Sequence, residues 1–135
     1  MGARILVADN LPAFRHFVRE VIRKHGGYRV VAEAEDGLTA VQKAEEVNPD
    51  IILLDISMPQ LNGIQAARRI CQMAPSAKIL FLTQNLSLEL LLEAMRLGAS
   101  GYLIKSQAAR ELVPALEAIR NGNTYVSDYF RWRDE

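Results

Sequence analysis

Four side chains able to do chemistry each follow a short apolar run. Asp9 comes after Ile5-Leu6-Val7-Ala8, Asp55 after Ile51-Ile52-Leu53-Leu54, Thr83 after Ile79-Leu80-Phe81-Leu82, and Lys105 after Tyr102-Leu103-Ile104. Taken singly, an aspartate in such a place is a turn residue or a helix cap. Two acids, a hydroxyl and an amine brought to one place are a different matter. Neighbouring carboxylates repel unless a cation lies between them, and hard oxygen ligands with room for water suit Mg²⁺. Asp9, Asp55 and the side-chain carbonyl of Asn10 would supply such ligands. A cation there makes Asp55 a usable nucleophile for phosphoryl transfer. The Lys105 ammonium and the Thr83 hydroxyl would then bind the phosphoryl oxygens as charge develops.

Whether these groups meet depends on the elements that carry them. The apolar runs are short, rich in β-branched residues and bounded by polar or turn residues, so they predict strands over 4–8, 28–34, 50–54, 78–83 and 101–104. Three are nearly continuous in apolar residues, as parallel strands covered on both faces require. Helical spacing fills the intervals. One apolar stripe is Phe14, Phe17, Val18, Val21 and Ile22, stopped by Gly26-Gly27. The next are Leu38, Val41, Ala44 and Val47, ended before Pro49, and Ile64, Ala67, Ile70 and Cys71, stopped near Pro75. The last two are Leu88, Leu91, Leu92 and Met95, with Gly98 at the end, and Leu112, Leu116 and Ile119, closed by Gly122. Pro114 is expected in the early turns of that last helix.

Strict alternation with short loops predicts right-handed crossovers and an open α/β fold of the flavodoxin-like (βα)5 kind, a five-stranded parallel sheet in the order 2-1-3-4-5. In such a sheet, sites form beyond the carboxyl ends of the strands. Strands 1, 3, 4 and 5 are then consecutive neighbours, and Asp9, Asp55, Thr83 and Lys105 converge on one pocket.

At 135 residues and 50% hydrophobic, the chain suits one domain with a real core. The domain is expected over 1–122, with 123–135 a polar and aromatic tail or the start of a linker; Trp132 is a possible anchor for that tail. Lys+Arg and Asp+Glu number 16 each, so no basic footprint marks a nucleic-acid or anionic-membrane partner. The single cysteine, Cys71, excludes an internal disulfide framework and suits a reducing compartment. It reads best as a half-buried helix residue. No leader pattern and no run near the roughly 18 apolar residues of a membrane span is present, so a soluble, cytoplasmic protein is expected. His16 and His25 have no second ligand at metal-binding spacing, and Arg19, Arg23 and Lys24 read as a solvated helix face.

The residues 5–10 and 51–59, with Asn62-Gly63, the run to Thr83 and the stretch Gly98-Ala99-Ser100-Gly101-Tyr102-Leu103-Ile104-Lys105, resemble the response-regulator receiver family across about residues 4–122. Ala118-Ile119-Arg120, Gly122 and Tyr125-Val126-Ser127 are similar to the NarL/FixJ subfamily, whose members usually continue into a helix-turn-helix DNA-binding domain. The resemblance implies that Asp55 is the phosphoacceptor and that Asp9 and the Ser57 backbone carbonyl help hold Mg²⁺. It implies that Thr83 and Lys105 contact the phosphoryl group and that the rotamer of Tyr102 follows Thr83. The implied donor is the phosphohistidine of a sensor histidine kinase, and the implied output is a changed partner surface serving transcription. Enzymatic action would be limited to Mg²⁺-dependent self-phosphorylation and autodephosphorylation by hydrolysis.

Three positions depart from the family pattern. Asn10 stands where most members have a second acid, which predicts weaker Mg²⁺ binding. Gln84, followed by Asn85, stands where a small residue is usual and is long enough to shield the pocket. Ser106 replaces a frequent proline and carries little weight. Leu86, Leu90 and Leu97 add apolar surface off the stripe of the fourth helix, as a homodimer or partner contact would need. The competing reading is a phosphorylation-independent receiver acting as an interaction module. A flavodoxin-like cofactor binder is weaker, because the loop after the first strand has no Gly-x-Gly-x-x-Gly or other phosphate cradle.

Overall fold

The computed structural model describes residues 2–130. Strands β1 (Ala3–Ala8), β2 (Tyr28–Ala34), β3 (Ile51–Asp55), β4 (Lys78–Thr83) and β5 (Gly101–Ile104) alternate with helices α1 (Pro12–His25), α2 (Gly37–Val47), α3 (Gly63–Met73), α4 (Leu88–Arg96) and α5 (Ala108–Arg120). All strands pair in parallel, in the order β2-β1-β3-β4-β5, and a sixth, β6 (Tyr125–Val126), pairs in parallel with β5. The predicted order holds, and the sheet has one strand more than the five expected.

Side chains alternate across this sheet and split the core in two. Leu6, Ile52, Leu54, Phe81, Tyr102 and Ile104 pack with α2, α3 and α4. Ile5, Val7, Leu53, Leu80, Leu82 and Leu103 pack with α1 and α5. Both faces are covered, so the strand interiors are apolar without a break.

The sixth strand comes from the segment expected to be a tail. Ser100 O accepts from Tyr125 N–H at 3.0 Å, and Tyr102 O accepts from Ser127 N–H at 2.9 Å. A short 3₁₀ turn, Asp128–Phe130, then buries Phe130 to 2% exposure. Two residues are too few to read as a strand from periodicity, which is why the segment reads as a linker. Trp132 lies outside the described residues.

Three helix details differ from expectation. In α2 the buried face is Gly37, Ala40 and Ala44, and Leu38 is 41% exposed. Close packing on the α3 side favours small residues there, so Leu38 falls off the buried face while Ala44 and Val41 of the expected stripe pack on the core. In α4 the buried pair is Leu91 and Ala94, which leaves Leu92 41% exposed and Leu86, just before the helix, 47% exposed. In α5, Pro114 sits mid-helix because the helix starts at Ala108, earlier than the sequence suggests. Its missing N–H frees the Arg110 carbonyl, and both residues lie on the exposed face, where water can replace the bond.

Candidate functional site at the carboxyl edge of the sheet

The loop after β1 starts with Asp9, whose N–H still donates to Ala34 O at 2.9 Å and so extends the strand by one residue. Its Oδ1 accepts from Leu11 N–H at 2.9 Å, a turn that leads into Pro12 at the start of α1. That is the ordinary structural role of such an aspartate. The second oxygen does something else. Asp9 Oδ2 is buried and lies 2.6 Å from Lys105 Nζ, an ion pair.

Lys105 opens a 3₁₀ turn, Lys105–Gln107, directly after β5. Its ammonium reaches Asp55 Oδ2 at 3.4 Å as well as Asp9, and it sits 4.7 Å from the centre of the Phe14 ring. All three charged side chains are nearly sealed, at 7% exposure for Lys105, 1% for Asp9 and 5% for Asp55. Asp55 is the last residue of β3, and its Oδ1 accepts from Ser57 N–H at 3.3 Å. Two buried carboxylates thus share one cation. Burial, and then the Asp9 charge, push the Asp55 carboxyl above its usual range, while Lys105 and the Ser57 N–H pull the other way.

Asp9, Asp55 and Lys105 are therefore brought together, as expected. Thr83 ends β4 one register step beyond Leu82, the partner of Asp55. It is fully buried on the α2–α4 side, and its Oγ1 accepts from Asn85 N–H at 3.0 Å. It borders the three-way contact without joining it. Asn10 is exposed, as are Gln84 and Ser57. Tyr102 is fully buried beside Phe81 and Phe130, at centroid distances of 6.3 and 5.7 Å, and its hydroxyl has no hydrogen-bond partner. Burial pushes its phenol up to about 12.

Other residues support this site. Arg15 on α1 donates from Nη1 to the Asp9 carbonyl at 2.5 Å and is held by Glu33 of β2 at 3.1 Å. Glu33 also binds Arg19 at 2.6 Å, so Arg19 joins this network although its side chain stays 42% exposed, as a solvated face requires. Phe14, read as core, forms the floor under the Lys105 ammonium. Gly63 is required by close approach, since a Cβ on it would lie 2.2 Å from the Asp55 carbonyl oxygen.

Among the described residues no group of three or more His, Cys, Asp or Glu is gathered to hold a metal ion. The site offers two carboxylates, and Mg²⁺ is commonly held by one or two with water completing the shell. A recess of about 630 Å³ opens at the opposite end of the sheet, lined in part by Asn48, Asp50, Lys78 and Arg120, and none of the site residues borders it. The chemistry marks the site better than the shape does.

Residues 5–117 match the response regulator receiver domain family. The chain belongs to that family. DegU of Brevibacillus brevis, a transcriptional regulatory protein, is 36% identical over 123 residues, which are 91% of this chain and 52% of DegU. The chemotaxis protein CheY of Thermotoga maritima is 35% identical over 119 residues, 88% of this chain and 98% of CheY. This receiver thus spans about half the length of the first relative and nearly all of the second. A crystal structure of a LuxR-family two-component response regulator from Aurantimonas sp. SI85-9A1 superposes with a TM-score of 0.91 at 38% identity, covering 100% of both chains. No helix among the described residues is long and apolar enough to cross a membrane.

Proposed function

We propose that this receiver accepts a phosphoryl group on Asp55. The observation that carries the reading is the Lys105 ammonium held between the buried Asp9 and Asp55 carboxylates. A carboxylate kept near a fixed cation in a site closed to solvent is a nucleophile whose product charge is already provided for. An Asp55 oxygen attacks the phosphorus of a phosphohistidine on a sensor histidine kinase. The P–N bond breaks as the P–O bond forms, and the leaving imidazole takes up a proton. Lys105 then pairs with the phosphoryl oxygens, and the Thr83 hydroxyl turns from Asn85 toward them.

Mg²⁺ fits the residues present. Asp9 Oδ2 and Asp55 Oδ2 both face the Lys105 ammonium, and a carboxylate oxygen can accept more than one bond, so both have acceptor capacity to spare. Asp9, Asp55 and the carbonyl groups of Ser57 and Asn10 would hold the ion. When bound, it neutralises charge on the incoming phosphoryl group. The chain's own contribution is to fix Asp9 through Arg15 and Leu11, to exclude water, and to keep Asp55 beside Lys105.

The phosphorylated receiver would present an altered α4–β5–α5 surface to its partners, a second copy among them, and would serve a transcriptional output in the cytoplasm. Incubation with acetyl phosphate and Mg²⁺, followed by intact-mass and peptide analysis, tests the reading. A phosphoryl adduct on the peptide holding Asp55, absent from Asp55→Asn, is the expected result. A chain that stays unmodified overturns the reading and leaves a phosphorylation-independent interaction module, the alternative that rests on Asn10 and Gln84.

A further inference from the structure

Glu111 is a carboxylate on α5 that is only 1% exposed, and it lies outside the site described above. Burying such a charge is costly unless its oxygens are satisfied. Here the satisfaction comes from the segment 125–130. Glu111 Oε1 accepts from Ser127 Oγ at 2.7 Å, while Oε2 accepts from Tyr125 Oη at 3.0 Å and from Asp128 N–H at 2.9 Å. Ser127 Oγ in turn accepts from Ile104 N–H at 2.9 Å, one residue before Lys105. Arg110 adds an ion pair to Asp128 at 2.8 Å.

This fastening places Phe130 edge-on to Tyr102. Phe81 and Thr83 pair with Tyr102 and Ile104 in the β4–β5 register, so Thr83, Phe81, Tyr102 and Phe130 follow one another on a single face of the sheet. The Tyr102 ring is sealed at 0% exposure with its hydroxyl unpartnered, a position that needs a cover.

We propose that the segment 125–130 is a clasp, and that its seating on Glu111 and the inward position of the Tyr102 ring are one equilibrium, so that a displacement of either releases the other. The link from this clasp to Asp55, through Thr83, rests on the phosphoacceptor reading. On that reading, a Thr83 held by the phosphoryl group favours the inward ring, which is already sealed here at 0% exposure, so phosphorylation tightens the clasp. Coupling of this kind is reciprocal.

The test reads both ends in the full chain. Nitration of Tyr102 by tetranitromethane, located by peptide mass, reports the ring; limited chymotryptic cleavage after Phe130 reports the clasp. Loss of a hydroxyl bonded to a buried carboxylate shifts an opening equilibrium by about ten-fold, so Ser127→Ala is expected to speed Tyr102 nitration by that factor. Tyr102→Ala is expected to speed cleavage after Phe130, and Tyr102→Phe, which keeps the ring, is expected to leave it unchanged. Far-UV circular dichroism confirms that each variant is folded, with Phe130→Leu as a milder change at the contact. Unchanged nitration in Ser127→Ala, or unchanged cleavage in Tyr102→Ala, overturns the proposal. Where mass analysis verifies the Asp55 adduct, cleavage after Phe130 is expected to slow by about five-fold; an unchanged rate overturns the link to Asp55. A chain that takes no adduct refutes the phosphoacceptor reading instead, and the clasp is then decided by the variants alone.

Discussion

Opposed forces act on the Asp55 carboxyl, and their balance has a measurable sign. Burial and the Asp9 charge raise its pKa, against the pull of Lys105. A carboxyl whose pKa rises on folding holds its proton more tightly in the folded chain. The folded state therefore loses stability as pH climbs from the ordinary carboxylate range through the raised value. Asparagine cannot ionise, so Asp55→Asn is expected to melt a few degrees higher at pH 7, with the gain shrinking as pH falls below the ordinary carboxylate range. Thermal melts across a pH series check this. Lys105→Met removes the cation and leaves two carboxylates facing each other in a sealed site. A loss of ~3 kcal/mol is expected by urea titration, as when one member of a buried pair is deleted, and the double variant with Asp55→Asn should recover part of it. Asn10 adds no charge to this cluster. Asn10→Asp is expected to bind Mg²⁺ about five-fold more tightly, the worth of one partly exposed charge, and a fluorescence or calorimetric titration of the two proteins decides it.

The loop between β3 and α3 shows how elements hold the acid in place. Asn62 caps α3 by accepting from Gln65 N–H at 2.9 Å, and the Gln65 side chain returns a bond to Asn62 N–H at 3.1 Å. Gly63 then lies flat against the Asp55 carbonyl. Gly63→Ala forces backbone apart and is expected to cost ~2 kcal/mol, in the range of overpacked sites. It should also slow phosphorylation by acetyl phosphate, followed by intact mass, through displacement of Asp55. Much of this architecture was legible beforehand. Strands buried on both faces leave unbroken apolar runs, and helices closed by glycine leave clear ends, so five strands, five helices and the meeting of residues 9, 55 and 105 could be read directly. What escaped notice depends on three-dimensional partners. Leu38 and Leu92 look like core until neighbouring small residues are seen to take the contact. Arg15 and Glu33 look like ordinary surface charges until β2 and α1 are placed side by side. Glu111 looks like any exposed helix acid until residues 125–128 fold over it.

At the scale of the whole molecule, the site belongs to no single segment. The β1 and β3 ends supply the acids, the turn after β5 supplies the amine, and β4 supplies the hydroxyl between them. A cation that needs both acids binds only the folded chain and stabilises it by mass action. At a hundred times its dissociation constant, Mg²⁺ is expected to add about 2.7 kcal/mol, seen as a rise in melting temperature that EDTA reverses. Asp9→Asn should abolish most of that rise. The late arrival of Lys105 has a further consequence for the growing polypeptide. On the ribosome, Asp9 and Asp55 emerge well before their shared counter-charge. Until β5 has been made and docked, the two acids have no fixed counter-charge, so the acceptor chemistry proposed for Asp55 would require the completed chain.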